Sequence, residues 1–268
     1  TIALQSMNQN VLKAIKRRNV DGGKLKEFIE MYESENIGSY VELIWGLPEE
    51  TVESFKDGIM QILNYGYHNY LDIHMMMMLP NAPIASKEYM KEYGIKTTTT
   101  QPRFSHRHIE GIMSNDTVEF VTQTNSFTKE DWIEGHQFRW LLIFGHYLGP
   151  LQFISRSLNK IYDISYRTFY DDIMDFCKQN RDSFIGKEYY QIKNNLYKVL
   201  ENKRFWGGIV EGVGDINWNV DEATCINLAN GNKIQFYREI ESFILSKYPQ
   251  VKKDILSDII LYQKNRLS

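Results

Sequence analysis

Cysteine is nearly absent from this chain: Cys177 and Cys225 are the only two in 268 residues. They lie far apart, and neither has a second cysteine at metal-ligand spacing. A cysteine-rich metal motif within this sequence is therefore excluded, and the pair reads as two buried free thiols of a cytoplasmic protein. Charge of one sign is also missing. The formal net charge is −3, so no general pull toward nucleic acid or an anionic membrane is expected. No apolar run approaches the ~20 residues that span a bilayer. The opening TIALQSMNQN has neither a basic start nor a cleavage signal, so no secretory signal is read. It also lacks an initiator Met and begins inside what reads as a strand, which leads us to expect a fragment of a longer chain. There is no internal repeat, and the TTTT run at 97–100 is too short to count as low complexity. The glycine-rich GGIVEGVG at 207–214 lacks the Lys-Ser/Thr of a phosphate loop and reads as a connector.

What is present suits one large domain or two ordinary ones, with 43% apolar residues to build a core and 24% charged. Over residues 1–100 strands and helices alternate. TIALQSM reads as a strand, QNVLKAIKRR as a helix capped by Asn8, and GGKLKEFIEMYESEN as a second helix. SYVELIWG follows as a strand, then ETVESFKDGIMQILNYG as a helix with an apolar stripe of Phe55, Ile59, Ile62 and Leu63, then NYLDIHMMMMLP as a third strand. Such alternation predicts βαβ units and a parallel sheet. Residues 101–128 form a connector: TTTTQPRFSHRHIEG, which begins at Thr97 and runs into it, reads as a polar loop and DTVEFVTQTNS as one extra strand. Residues 129–268 read as a helical domain, with Thr128 and Asp131 capping its first helix and helices at about 129–148, 151–163, 166–181, 185–203, 219–228, 232–248 and 250–265.

Period-two reading gives each strand an apolar face: Ile2 and Leu4, then Val41, Leu43 and Trp45, then Leu71 and Ile73. The opposite faces carry Ala3 and Gln5, then Tyr40, Glu42 and Ile44, then Asp72 and His74. Barrels of the β/α type gather such polar groups in the lumen near the strand C-termini. Glu42 alone reads as a structural ion. Beside Gln5, a carboxylate and an amide can together grip ribose hydroxyls, and Arg17 can supply a planar cation for a ligand carboxylate. The four methionines at 75–78 read as core filler on both faces of a strand, since copper would need soft ligands converging from one side. His106 and His108 lack nearby acids at helical spacing and read as solvated loop histidines. His136 and His146 read as parts of a half-buried amphipathic helix with Arg139 and Trp140.

Three segments in order, IALQSMNQNVLKAIKRRN, YVELIWGLPEETVESFKDGI and MMMMLPNAPI, resemble the second half of the radical S-adenosylmethionine (radical SAM) core, across roughly residues 1–95. EDWIEGHQFRWLLIFGHYLG and DILSDIILYQK resemble the helical C-terminal region of the cobalamin-binding branch of that superfamily. The resemblance implies an α/β fold, strands four to six of a partial TIM-type barrel, followed by a mostly helical domain. It implies that Gln5 and Glu42 hold the adenosylmethionine ribose and that Arg17 approaches the methionine carboxylate. Gly46, with Leu47 and Pro48, matches the turn near the adenine, and Met78, Leu79 and Pro80 match backbone along the adenine edge. The family's three-cysteine loop for a [4Fe–4S] cluster has no counterpart here. The resemblance places it upstream, with the N-terminal half of the barrel and a possible cobalamin domain, and implies a small-molecule substrate. Two other readings stay open: a non-catalytic module that binds a nucleoside or a partner protein, and a cluster-free β/α-barrel enzyme using Glu42, Asp72 and His74 for acid–base work.

Overall fold

The computed structural model describes residues 1–20, 22–100, 105–108, 117–202 and 207–267. In chain order the elements are β1 (Ile2–Gln5), α1 (Gln9–Ala14), α2 (Gly22–Ser34), β2 (Tyr40–Trp45), α3 (Val52–Asn64), β3 (Tyr70–Met75), α4 (Lys87–Glu92), β4 (Lys96–Thr100), β5 (Arg107–His108), β6 (Val118–Gln123) and α5 (Lys129–Leu142). Then come a π-helical turn (Ile143–Tyr147), α6 (Gln152–Tyr162), α7 (Tyr166–Gln179), α8 (Phe184–Leu200), β7 (Ile216–Asn217), α9 (Val220–Asn227), α10 (Lys233–Lys247) and α11 (Lys253–Arg266). The chain divides into two compact units. One comprises Thr1–Arg103, Met113–Arg139 and Asn195–Phe205; the other comprises Phe104–Ile112, Trp140–Asn194 and Trp206–Ser268.

The first unit is α/β. Its three-stranded parallel sheet has the order β1-β2-β3, with Val41 opposite both Ile2 and Leu71. Leu4, Val41, Leu43, Leu71 and Ile73 are buried with Phe55, Ile59 and Leu63 of α3, as the alternation requires. Ile2, at the strand's first position, is only half-buried. Helix α3 starts at a reciprocal capping box between Thr51 and Ser54, which satisfies amide donors that the first turn leaves open. Asn8 caps α1 as expected, but the helix stops at Ala14. Lys16 enters the left-handed region at φ +55°, the Arg17 amide donates to Leu12 C=O at 2.8 Å and the Lys16 amide to Lys13 C=O at 3.1 Å. This is a Schellman close with lysine in glycine's usual place, so Arg17 lies in an exposed loop and not on the helix.

Two further expectations are corrected. Thr97–Thr100, read as loop, lie in β4, which pairs antiparallel with β6; Thr98 and Thr100 point inward. Threonine is β-branched and fits a pleated surface, although a run of polar residues gives no apolar alternation. The methionine run does not fill core on every side: Met76 and Met78 are buried, whereas Met77 is 44% exposed. The Met76 amide donates to Trp45 C=O and the Val121 amide to Met76 C=O, both at 2.9 Å, so β6 continues beside the end of β3.

The second unit is mostly helical, and its helices lie where periodicity expects them. Its core gathers Phe144, Leu151, Ile154, Leu158, Phe169, Ile173, Phe236, Ile240 and Leu256. Trp140 Nε1 donates to Thr224 Oγ1 at 3.0 Å, and Thr224 Oγ1 donates to the buried Glu188 at 3.0 Å. Glu188 is held above the usual carboxyl range by burial, against the lowering effect of Thr224 and Asn227. The 207–214 stretch is turn-rich and its Gly208 bridges to Trp218. His136 and His146 are fully buried, not half-buried. The reason is that α5 is buried nearly all round, so no amphipathic stripe exists for them to border. No helix among the described residues is long and apolar enough to cross a membrane.

Candidate functional site

In parallel α/β sheets ligands gather at the carboxyl ends of the strands. Here that edge is built from the turns after β1, β2 and β3. At the end of β1 the Ser6 amide donates to Leu4 C=O at 2.8 Å across Gln5, whose φ is +66°. That is a γ-turn of the left-handed kind, a rare and strained form for a non-glycine residue. It breaks the pairing with β2, where Ala3 opposes Glu42 and Gln5 opposes Leu43. Ser6 is fixed from two sides. Its hydroxyl donates to Glu50, and Asn19 Nδ2 donates to its carbonyl at 2.7 Å.

After β2 the chain turns at Gly46-Leu47-Pro48, all buried. Gly46 has φ +103°, and a Cβ there would lie 3.2 Å from Met76 Cβ and 3.5 Å from Val121 C=O. Glycine is needed for both conformation and space. Glu42 projects from the polar face of β2, partly exposed, with its Oε1 3.9 Å from His74 Nε2; Asp72 Oδ2 is 3.6 Å from the same nitrogen. Beyond β3, Met78 is buried and its amide donates to Glu119 C=O at 2.8 Å, whereas Leu79 is 60% exposed and Pro80 is also exposed. The fold thus sets Gln5, Glu42 and Gly46 on neighbouring strands and the turns that end them. Arg17 lies in the exposed loop after α1.

The remaining candidates are explained by packing. His136 is held neutral, its pKa driven well down by burial and then by the positive charge of Arg139. Arg139 Nε donates to Ile73 C=O at 2.6 Å, an anchor on β3 that sequence reasoning did not single out. His146 Nδ1 lies 2.8 Å from Tyr170 Oη within a buried group that includes Ser155. His106 Nε2 lies 2.8 Å from Glu222, and the side chain of His108 falls outside the described residues. Cys177 is buried, but Cys225 is only half-buried, which corrects the reading of two buried thiols. Burial raises both thiols, Cys225 to about 12 with help from Asp221 and Glu222.

No group of three or more His, Cys, Asp or Glu among the described residues is placed to hold a metal. Iron–sulfur clusters take thiolates, and two protonated thiols on α7 and α9 do not fit one. Anaerobic reconstitution of this chain with iron and sulfide is therefore expected to give no stoichiometric cluster. Iron and sulfide analysis with absorption spectra checks this, and a stable cysteine-ligated cluster would overturn it.

No family model matches the chain. Among curated proteins it is 32% identical over 203 residues to the cobalamin-dependent radical SAM methyltransferase TokK of Streptomyces tokunonensis, across 75% of this chain and 29% of that protein. It is 27% identical over 258 residues to the 2-(S-pantetheinyl)-carbapenam-3-carboxylate methyltransferase of Streptantibioticus cattleyicolor, across 91% of this chain and 37% of that protein. The chain belongs to the radical SAM superfamily, in its cobalamin-type branch. It spans about a third of the length of these relatives. Within this radical SAM chain the residues that sequence reading missed at the sheet edge are Ser6 and Glu50. Glu50 is buried and accepts hydrogen bonds from Ser6 and from Ser54 Oγ. Its one sequence signal was a second acid directly before the Thr51 helix cap, indistinguishable there from the exposed Glu49.

Proposed function

We propose that this chain is the C-terminal part of a radical SAM methyltransferase, contributing the later strands of a partial barrel and a helical domain. The observation that carries the reading is a carboxylate, Glu42, on the polar face of a parallel sheet beside the strand end at Gln5, in a chain of this superfamily. A second feature supports it. Among the described residues β1 pairs only with β2, which leaves an open parallel edge for further strands to cover.

The residues present suit adenosylmethionine. Glu42 accepts from ribose hydroxyls and Gln5 both donates and accepts. Gly46 gives backbone close access to the nucleoside, and the 78–80 segment runs along the adenine. Arg17 meets the methionine carboxylate, a bond that a planar guanidinium makes well. The [4Fe–4S] cluster does not fit this chain's thiols and belongs to the rest of the polypeptide, as does cobalamin. Bound together, these groups supply hydrogen abstraction at an unactivated carbon and the methyl group that replaces it. The substrate is a small molecule, and the carbapenam carboxylate named for the second relative is the first candidate to assay.

The test uses the complete, cofactor-loaded protein with methyl-labelled adenosylmethionine and that carbapenam. Label in the carbapenam product is the expected result. Failure to bind adenosylmethionine would overturn the reading. The Glu42–His74–Asp72 group favours a second reading, a cluster-free acid–base enzyme. That reading expects turnover of the complete protein in the absence of adenosylmethionine, lost in His74→Gln.

A further inference from the structure

The strained Gln5 turn needs something to hold it, and the residues around it show what does. A γ-turn with φ +66° at a non-glycine residue persists only where its surroundings over-determine it. The next residue, Ser6, is 4% exposed and hydrogen-bonded at both ends, with its carbonyl accepting from Asn19 and its hydroxyl donating to Glu50. The same hydroxyl accepts the Asn8 amide at 3.1 Å, which ties the turn to the start of α1. Glu50 is 1% exposed, and its other oxygen accepts from Ser54 Oγ. Ser54 Oγ in turn accepts the Thr51 amide at 3.0 Å inside the capping box of α3. One continuous relay thus runs from the first turn of α3 through a buried carboxylate to the end of β1. Its donors converge on the carboxylate from both ends: Asn8 N–H to Ser6 and Ser6 O–H to Glu50 from the β1 side, Thr51 N–H to Ser54 and Ser54 O–H to Glu50 from the α3 side. Only an acceptor on both oxygens completes it, which an ionised carboxylate supplies and an amide does not.

We propose that Glu50 is a positioning residue for Gln5: by holding Ser6 against the start of α3 it fixes the γ-turn that aims Gln5 at the ligand. The inference rests on the reading that Gln5 contacts adenosylmethionine, and it goes beyond that reading by naming what orients the contact. Burial raises the Glu50 pKa, and its hydrogen-bonding neighbours Ser54, Ser6 and Asn8 oppose that rise.

The test is a double-mutant cycle in the complete, cofactor-loaded protein, read as adenosylmethionine affinity by calorimetry and as melting temperature. Gln5→Ala and Glu50→Gln are each expected to weaken binding about tenfold, the loss of one buried hydrogen bond. Combined, they should also weaken it about tenfold, because Glu50 acts through Gln5. Ser6→Ala should reproduce most of the Glu50→Gln loss of affinity; both variants are expected to melt lower, since each leaves buried hydrogen-bonding groups unpaired, and it is the cycle with Gln5→Ala that separates positioning from a structural role. A Glu50→Gln protein with wild-type affinity, or additive losses of about a hundredfold in the double variant, would overturn the proposal while leaving the binding reading intact. Wild-type affinity in Gln5→Ala would overturn the Gln5 contact and the proposal with it.

Discussion

Replacing Gly135 by alanine is expected to destabilise the α/β unit, even though alanine is the better helix former. An added Cβ would sit 2.3 Å from Trp45 Cε2, 2.4 Å from Cζ2 and 2.7 Å from Nε1. The indole cannot easily yield. Trp45 is fully buried, with ring centroids 4.8 Å from Phe55 and 5.2 Å from Phe127, and its Nε1 donates to Trp132 C=O at 3.1 Å. Helix propensity favours alanine by about 1 kcal/mol, whereas overpacking a tight core costs about 1–3 kcal/mol and occasionally more. Overlap of this depth with a ring locked on three sides decides for the penalty. The sign should reverse where the ring is removed. In a Trp45→Leu background Gly135→Ala should become neutral or stabilising by up to about 1 kcal/mol. Trp45→Ala alone should cost about 3–5 kcal/mol, as a large buried ring removed from a core. Denaturant unfolding of the four single and double variants checks this. A Gly135→Ala protein as stable as wild type would show that the helix slides and the packing is not rigid.

Ligand selectivity should separate Glu42 from Arg17. If Glu42 accepts from a ribose hydroxyl, Glu42→Gln in the complete protein removes a charged hydrogen bond worth about 1–3 kcal/mol. That is a weakening of about tenfold to a hundredfold, for adenosine and adenosylmethionine alike. Arg17→Ala should weaken adenosylmethionine more than adenosine, because adenosine has no carboxylate to lose. Structural ions would behave differently, lowering stability and leaving selectivity unchanged. Calorimetry of the wild type and both variants against both ligands decides. Equal losses from Arg17→Ala, or none, would remove Arg17 from the site, and its exposed position in the loop after α1 makes it the more exacting test.

The parts of this fold that were legible in the sequence are those where burial and period coincide. Val41, Leu43 and Trp45 alternate with Tyr40, Glu42 and Ile44, and the buried face is the apolar one. The pattern failed where polar residues do apolar work. Thr98 and Thr100 are buried in β4 without being hydrophobic, and α5 has no polar face to contrast with a core face. It also failed where backbone geometry contradicts residue type. Lys16 ends α1 in a conformation normally reserved for glycine, so nothing in KAIKRR announces the stop. The candidate site was legible in one respect, the lone carboxylate in an apolar strand. Its support was hidden, because Glu49 and Glu50 are adjacent identical residues. Glu49 turns outward at φ +66°, which buries Glu50. Only the turn distinguishes them.

The π-helical turn at Ile143–Tyr147 carries a consequence for chain length. Such a turn, closed at the end of α5 by the Leu148 amide donating to Ile143 C=O at 2.7 Å, holds one residue more than a turn of α-helix, and each residue of an α-helix advances the side-chain direction by about 100°. His146 reaches Tyr170 and Ser155 from inside this turn. Deleting one residue between 143 and 145 is therefore absorbed by closing the turn as regular α-helix, which keeps the imidazole on roughly the same side. Deleting one residue from the regular winding before it, within Trp140–Leu142, would swing the imidazole about 100° away from Tyr170 and Ser155. The end of this helix tolerates a change of length that its middle does not. A homologue with a one-residue gap at 143–145 is expected to keep a partnered histidine, and one with a gap at 140–142 to lose it.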